Sequence, residues 1–325
     1  MVLSDAAQKI PDQPLLPACS AVIMHSLREG LSSRNGFVRK GARALLAILK
    51  WIESHRTGSD GLAARPPVLA NSFPKSGTHL LVQIIEGLPG RVNYGAFLGS
   101  EISSFQLRER SADSTRRFIR GFVPGEIIRG HLYYEPQYAE ELAARHAVHY
   151  FIYRDPRDVV VSEAHYLRDM NRWHRLHPYF RKAASIEDAI MLSINGLEPP
   201  VGRINYPNIA ARFASYSGWL ERDDCLSIRF EDLVSERQPE LVRQIAEFYA
   251  PRTGTPFDVD AAVQTMSTLI APQKSHTFRS GKKAGWQREF TPAHRERFAE
   301  LAGDLLVRLG YEPDLAWASA PLACN

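Results

Sequence analysis

The chain has 325 residues, 44% of them hydrophobic, and its 40 basic and 36 acidic residues give a formal net charge of +4. This length allows one large core with an added segment, and so small a charge does not predict nucleic-acid binding, which usually needs a concentrated basic face. The three cysteines, Cys19, Cys225 and Cys324, form no CxxC pair, which argues against a zinc ribbon or redox motif and fits a reducing compartment.

The N-terminus shows no signal peptide, and no stretch of the sequence approaches the ~20 apolar residues of a spanning helix, so we expect a cytoplasmic protein. Residues 1–65 are predicted to form an N-terminal extension with a helix over 37–55, where apolar residues recur at helical spacing. From Arg28 to Arg56 there are seven basic and two acidic residues, and a basic amphipathic helix can make peripheral contact with a membrane. We favour instead a helix packed on the main domain, with Trp51 and the leucines in the core.

Residues 66–325 form the predicted main domain, in which short apolar runs alternate with helical patterns. This alternation predicts βαβ units and an α/β fold, with a central parallel sheet flanked by helices. The predicted strands are 68–71, 126–129, 147–153 and 226–230. The predicted helices are 78–88, 136–145, one that begins near Pro156, 239–249, 258–269 and 292–309. Residues 58–67 are predicted to be a linker, and residues 272–290 a basic loop.

The first candidate anion-binding segment follows the strand at 68–71. It reads Asn71-Ser72-Phe73-Pro74-Lys75-Ser76-Gly77-Thr78-His79-Leu80 and so includes the end of that strand. A loop that opens a helix offers free N–H groups and partial positive charge to a phosphate. Lys75 adds a full charge, Ser76 and Thr78 add hydroxyl groups, and Gly77 allows a close approach of the backbone. Because the lysine precedes the glycine, the loop lacks the GxxxxGK[ST] pattern of ordinary ATP kinases and GTPases.

The second candidate segment begins at Arg154, where the predicted strand 147–153 ends. Open α/β sheets bind ligands at the carboxyl ends of their strands. Ser162 lies about two turns along the helix that follows. An internal ion pair between Arg154 and Asp158 is the alternative interpretation, and this segment alone does not decide between them.

The third candidate segment is a loop from Phe278 to Trp286 that contains three cations and two glycines. Arg279, Ser280 and Gly281 stand at its beginning. Exposed basic loops of this composition are common, so this segment predicts a site only in combination with the other two.

Together the three segments resemble the soluble PAPS-dependent sulfotransferase family over roughly residues 68–298, where PAPS is 3′-phosphoadenosine 5′-phosphosulfate. The resemblance implies a P-loop-like three-layer fold, PAPS as co-substrate, PAP as product, and no metal. It implies that residues 75–80 hold the 5′-phosphosulfate. The residues that it assigns to the 3′-phosphate are Arg154, Ser162, Arg279, Ser280 and Gly281. Phe230 is also expected to bind the co-substrate. Leu80 and Phe230 replace a tryptophan and a tyrosine of the family, so the details of adenine packing do not carry over.

The family's general base is a histidine in a Lys-Thr-His-Leu string, and Arg129-Gly130-His131-Leu132 stands in the corresponding place. The resemblance therefore implies that His131 removes the acceptor proton. It also implies that Lys75 stabilises the bridging oxygen that leaves during an in-line displacement. Arg129 is expected to help orient the sulfuryl oxygens. The family's dimer motif is only partly present, so no oligomeric state is predicted.

The acceptor is a hydroxyl or amine of a small molecule, a lipid or a glycan, and the sequence does not choose among them. Residues 91–125 and 165–207 follow no pattern and are expected to form its pocket. The aromatic residues expected to line that pocket are Phe97, Phe105, Phe122, Tyr133, Tyr134, Tyr166, Trp173 and Tyr179.

Two other functions are alternatives to sulfuryl transfer. A nucleotide-dependent kinase on a related P-loop fold is disfavoured because the Walker A pattern and a metal-binding carboxylate are missing. A membrane-surface nucleotide-binding adaptor without catalysis is disfavoured because Lys75 and His131 are both retained.

Overall fold

The computed structural model describes residues 27, 30, 36–56, 60–101, 109–201, 204–271 and 284–319. The strands are β1 (Val68–Ser72), β2 (Phe97–Gly99), β3 (Ile127–His131), β4 (Val148–Tyr153), β5 (Leu197–Val201), β6 (Ile204–Tyr206) and β7 (Cys225–Arg229). The α-helices are α1 (Gly36–Arg56), α2 (Asp60–Ala64), α3 (Thr78–Ile85), α4 (Ala112–Arg120), α5 (Pro136–Ala144), α6 (Pro156–His165), α7 (His177–Lys182), α8 (Ile186–Asn195), α9 (Ile209–Ser217), α10 (Phe230–Leu233), α11 (Gln238–Tyr249), α12 (Val259–Thr268), α13 (Trp286–Glu289) and α14 (Pro292–Arg308).

Five strands form a parallel sheet in the order β2-β3-β1-β4-β7. In its centre Val68 of β1 lies opposite Ile127 of β3 on one side and Val148 of β4 on the other. All of β1 is buried, as is usual where helices cover both faces of a parallel sheet. β5 and β6 form a separate antiparallel pair. The predicted α/β fold with a central parallel sheet flanked by helices is confirmed.

The sheet divides the core into two parts, because successive side chains of a strand point to opposite faces. Leu69 and Ile128 pack with α6 and α8 on one face. Val68, Ala70 and Ile127 pack with α3 and α11 on the other. Helix, sheet and helix therefore make the three layers of the predicted P-loop-like fold.

Two boundaries differ from the sequence prediction. The predicted linker 58–67 contains the short helix α2, where Leu62 is buried in the core. The predicted helix 78–88 ends at Ile85, and the following turn has i→i−3 bonds from the Gly87 N–H to the Ile84 carbonyl and from the Leu88 N–H to the Ile85 carbonyl, both 3.0 Å. A Cβ atom at Gly87 would lie 2.5 Å from the Met266 backbone. Close packing against α12 thus coincides with the end of α3.

The N-terminal helix α1 packs on the main domain through one face only. Ala42 and Leu46 are buried, and Lys50 Nζ lies 2.6 Å from Oε1 of the buried Glu126. The prediction of a packed helix is therefore correct for this face. The prediction that Trp51 and the leucines belong to the core is wrong for Trp51 and Leu45, of whose surfaces 63% and 53% are exposed. No helix in the described part of the chain is long and apolar enough to cross a membrane.

Candidate active site

The loop between β1 and α3 turns sharply through two residues in the left-handed region. Lys75 has φ 66° and Gly77 has φ 96°. A Cβ atom at Gly77 would lie 2.5 Å from the Phe230 ring, so the close approach of that ring and the positive φ both require glycine here. The turn places the start of α3, where the first N–H groups lack partners within the helix, just beyond the carboxyl end of β1.

Ser76 carries an unusual hydroxyl within this loop. The residue is fully buried, and among the described residues its Oγ has no hydrogen-bond partner. A buried polar group without a partner costs about 1–3 kcal/mol. An oxygen of a bound phosphate or sulfate group would accept its hydrogen bond, so the loop fits an anionic ligand.

Lys75 lies against the segment that follows α6. Its Nζ is 3.6 Å from the centroid of the Tyr166 ring, a distance at which a cation is attracted to the ring face. Tyr166 begins a short π-helical turn, Tyr166–Met170. The contact places the lysine of the loop beside the predicted acceptor region 165–207.

His131 ends β3 and is connected to the same loop. Its Nδ1 lies 3.0 Å from the carbonyl oxygen of Ser72. A carbonyl oxygen can only accept, so Nδ1 carries the proton and Nε2 keeps its lone pair. Ser72 Oγ lies 3.0 Å from this Nδ1 and 2.6 Å from Thr78 Oγ1. Polar contacts therefore run from the histidine through Ser72 to the first residue of α3.

The surroundings of His131 keep its ring neutral. The pKa of His131 is lowered from 6.5 to about 4, mainly by burial. The Ser72 carbonyl acts in the opposite direction, and the cations Lys75 and Arg129 add to the lowering. Arg129 stands two residues earlier in β3 and so on the same face of the strand. A neutral imidazole at pH 7 is the form that a general base requires.

Asn71, to which the sequence analysis assigned no role, holds the chain in place just after the histidine. Its Nδ2 donates to the carbonyl of Leu132 at 3.1 Å, and its Oδ1 accepts from the Leu132 N–H at 2.8 Å. Asn71 and Ser72 are both fully buried. The only local signal for this role is two consecutive polar residues at the end of an apolar strand.

Arg154 lies at the end of β4, over the ring of Phe230, whose centroid is 4.7 Å away. The same ring lies against Gly77, so Phe230 connects the first and second segments. Ser162 is half-buried on α6. Leu80, which was predicted to contact the phosphosulfate, has neither its side chain nor its N–H available for that contact. The side chain is buried in the core, and the N–H donates to the Gly77 carbonyl at 3.0 Å.

The ion pair between Arg154 and Asp158, predicted as an alternative, is present, and Asp158 also has hydrogen bonds to a third part of the chain. Nη2 of Arg154 donates to Oδ2 of Asp158 at 3.2 Å. The carboxylate of the buried Asp158 also accepts hydrogen bonds from the backbone N–H groups of Ala284 and Trp286, at 3.1 and 2.9 Å. Burial raises the pKa of the Asp158 carboxyl, and Arg154 opposes that change. The ion pair thus joins the second segment to the end of the third.

Arg279, Ser280 and Gly281 lie outside the described residues, so the predictions for them stay predictions. The end of their loop is well anchored. The guanidinium of the buried Arg157 lies 3.9 Å from the centroid of the Trp286 ring. Together with Asp158, this contact holds the C-terminal end of the loop beside Arg154.

The expected aromatic lining of the acceptor pocket needs one correction. Phe122 is fully buried and packs edge-on against Phe118 of α4, so its assignment to the pocket is wrong. Phe105 lies outside the described residues. Phe97 packs edge-on against His131 with the ring centroids 5.4 Å apart, and Trp173 is 93% exposed.

A polar cluster on the acceptor side was not predicted. Oε2 of Glu163 accepts from Arg212 Nη2 at 3.0 Å and from the Tyr206 hydroxyl at 2.7 Å. The Tyr133 hydroxyl donates to Glu101, and burial raises the pKa of both groups. These contacts join residues far apart in sequence, so no local pattern could reveal them. Within the described ranges, no three His, Cys, Asp or Glu side chains are grouped to hold a metal ion.

Comparison with known proteins identifies the family of this chain and solved structures with the same fold. A family model with the description "Sulfotransferase domain" matches residues 65–310. The structure is similar to mouse sulfotransferase SULT7A1 complexed with PAP, with a TM-score of 0.51 and 19% sequence identity over 80% of this chain and 95% of that chain. It is also similar to retinol dehydratase in a complex with retinol and PAP, with a TM-score of 0.51 and 14% identity over 79% of this chain and 86% of that chain. Identities this low show a shared fold. None of the curated proteins matches the chain.

Proposed function

This chain belongs to the sulfotransferase family, whose domain model matches most of its length, and we propose how its own residues carry out the reaction. It is a PAPS-dependent sulfotransferase, which moves a sulfuryl group from PAPS to an acceptor. The proposal concerns the roles of individual residues and the class of acceptor. The observation that carries it is the chain of polar contacts from His131 through Ser72 to Thr78, which joins a neutral histidine to an anion-binding loop.

The donor is held at its two anionic ends. Lys75, Ser76, Gly77, Thr78 and His79 bind the 5′-phosphosulfate, and the buried hydroxyl of Ser76 supports this because it needs an acceptor. Leu80 does not take part, because its N–H is bonded to the Gly77 carbonyl.

The 3′-phosphate is bound at the other end of the same ligand. Its contacts come from Arg154, Ser162, Arg279, Ser280 and Gly281. The Phe230 ring, which touches both Gly77 and Arg154, contacts the nucleoside between the two anionic ends. Contacts of Asp158 with both Arg154 and Trp286 support a shared role for the second and third segments.

The chemical step is an in-line displacement at sulfur, for which PAPS supplies an activated sulfuryl group. A bond forms between the acceptor oxygen or nitrogen and sulfur, and the bond from sulfur to the bridging oxygen breaks. Nε2 of His131 takes the acceptor proton. The ammonium group of Lys75 stabilises the negative charge that grows on the bridging oxygen, and Arg129 helps to orient the sulfuryl oxygens.

The acceptor is proposed to be a hydroxyl or amine of a small molecule, a lipid or a glycan. Its pocket is formed by parts of 91–125 and 165–207, since Phe97 lies against His131 and Tyr166 against Lys75. The hydrogen-bonded pair of Tyr133 and Glu101 gives this pocket a polar wall. The division into 1–65 and 66–325 and the cytoplasmic location belong to the same proposal.

Sulfuryl transfer from labelled PAPS to a panel of phenols, aliphatic alcohols, amines and sugars tests this proposal. His131→Ala should lower turnover by ~10²-fold or more while PAP still binds, because only proton removal is lost. Full turnover by His131→Ala on every acceptor that the wild type uses would refute the assignment of the base. His146→Ala, a change of an exposed histidine, is the matched control and should leave turnover unchanged.

A further inference from the structure

The exposed large hydrophobic side chains of this protein are concentrated on the outer face of α1. Of eleven such side chains in the described part of the chain, six belong to this helix. They are Phe37, Val38, Leu45, Ile48, Trp51 and Ile52. The remaining five are scattered over the domain, and scattered exposed side chains need no explanation.

These side chains form one continuous row. Phe37 is 88% exposed, Leu45 53%, Ile48 56% and Trp51 63%. Their separations of eight, three and three residues keep them on one side of a helix. The opposite side is already used, since Leu46 is buried against the domain.

The same helix holds an unusual share of the positive charge. Between Gly36 and Arg56 there are five basic residues and one acidic residue, a balance of +4 that equals the net charge of the whole chain. The only acidic residue, Glu53, is paired with Arg65 at 2.9 Å. Lys40 and Arg43 are exposed. Lys40 precedes Trp51 by 11 residues, which is about three helical turns, so its cation lies at the edge of the apolar row.

We propose that this face of α1 docks on the surface of an anionic lipid bilayer. An interfacial helix combines an apolar row, aromatic residues and flanking cations, and it binds through buried apolar area together with attraction to anionic headgroups. The long side chain of Lys40 can keep its charge among the headgroups while Ile48 and Trp51 enter the boundary of the acyl chains.

Charge distinguishes a bilayer from two other occupants of this face. A second copy of the chain would bring an equal positive charge against the helix, and like charges repel. Residues 1–35 contain three basic and three acidic residues, so they offer no net negative charge to attract it. Anionic lipid supplies both an apolar phase and the complementary charge.

The domain side of α1 shows which part of the protein would lie near the membrane. Lys50 Nζ lies 2.6 Å from Oε1 of the buried Glu126, which directly precedes β3. Docking would therefore bring the lipid surface to the side of the domain where the strand of His131 lies. The inference concerns binding alone and does not depend on which acceptor is used.

Sedimentation of the full chain with vesicles tests the proposal. We expect at least about tenfold more binding to vesicles of phosphatidylcholine with one-quarter phosphatidylglycerol than to pure phosphatidylcholine, and a loss of that binding at 0.5 M salt. Ile48→Ser and Phe37→Ser should each weaken binding several-fold without changing the circular dichroism spectrum. Leu315→Ser, at a residue that is 50% exposed outside α1, is the matched control and should bind as the wild type does.

A local measurement separates insertion of α1 from attachment elsewhere. Lipids with brominated acyl chains should quench the fluorescence of the bound protein, and Trp51→Phe should remove most of that quenching while the protein still sediments. Absence of binding, equal binding to both kinds of vesicle, or unchanged binding by Ile48→Ser would overturn the proposal. A dimer in lipid-free solution that Ile48→Ser dissociates would also overturn it, by showing that a second copy covers this face.

Discussion

The lowered pKa of His131 predicts a specific dependence of protein stability on pH. The folded ring has a pKa of about 4, whereas an unfolded histidine has a pKa near 6.5. Between these values the unfolded chain binds more protons than the folded one, so stability decreases as the pH falls. At pH 5 the unfolded ring is almost fully protonated and the folded ring only about one-tenth, which corresponds to a loss of about 2 kcal/mol relative to pH 7.

His131→Asn removes this titration while keeping a donor for the Ser72 carbonyl. The variant should lose about 2 kcal/mol less free energy of unfolding between pH 7 and pH 5 than the wild type does. Urea unfolding at both pH values, followed by circular dichroism, measures the difference and needs no acceptor. His146→Asn, at an exposed histidine with φ 52° that asparagine tolerates, is the control and should follow the wild type. Identical pH dependence in His131→Asn and the wild type would refute the reasoning about the buried ring.

Further predictions concern the loop between β1 and α3 and its neighbours. Lys75→Ala should lower turnover by ~10²–10³-fold in an assay with labelled PAPS, because stabilisation of the leaving oxygen is lost; a near-normal rate would contradict its role. Ser76→Ala should stabilise the ligand-free protein by about 1 kcal/mol in urea unfolding and weaken PAP binding, since the unpaired hydroxyl is removed; tighter PAP binding would contradict the proposed contact. Asp158→Asn should weaken PAP binding in calorimetry by about tenfold, because the carboxylate that orients Arg154 loses its charge; unchanged affinity would show that the ion pair is only structural.

The shape of the loop between β1 and α3 could be predicted from the sequence because the information for it is local. A strand, a lysine, a glycine and a helix start occur within ten residues, and the geometry follows from the preferences of Gly77 and from the free N–H groups of α3. The parallel sheet was readable for a similar reason, since buried strands such as β4 are nearly continuous apolar runs.

Features that depend on contacts between residues far apart in the chain could not be predicted from the sequence. β2 has only three residues, and it is a strand because Phe97 and its neighbours pair with β3. The contacts of Glu163 with Tyr206 and Arg212 join three separate elements. The exposure of Trp51 also follows from tertiary packing, because helical spacing shows that a face is apolar but not which neighbour, if any, covers it.

The central claim is that one ligand is held at two anionic ends, by the Lys75 loop and by Arg154 with the loop that ends at Trp286. Calorimetric titration with PAP and with 5′-AMP, which lacks the 3′-phosphate, tests it in the wild type and in Arg154→Ala. The account predicts that the wild type binds PAP at least about tenfold more tightly than 5′-AMP and that Arg154→Ala loses most of this preference. Equal affinities in the wild type, or a preference that persists undiminished in Arg154→Ala, would contradict it.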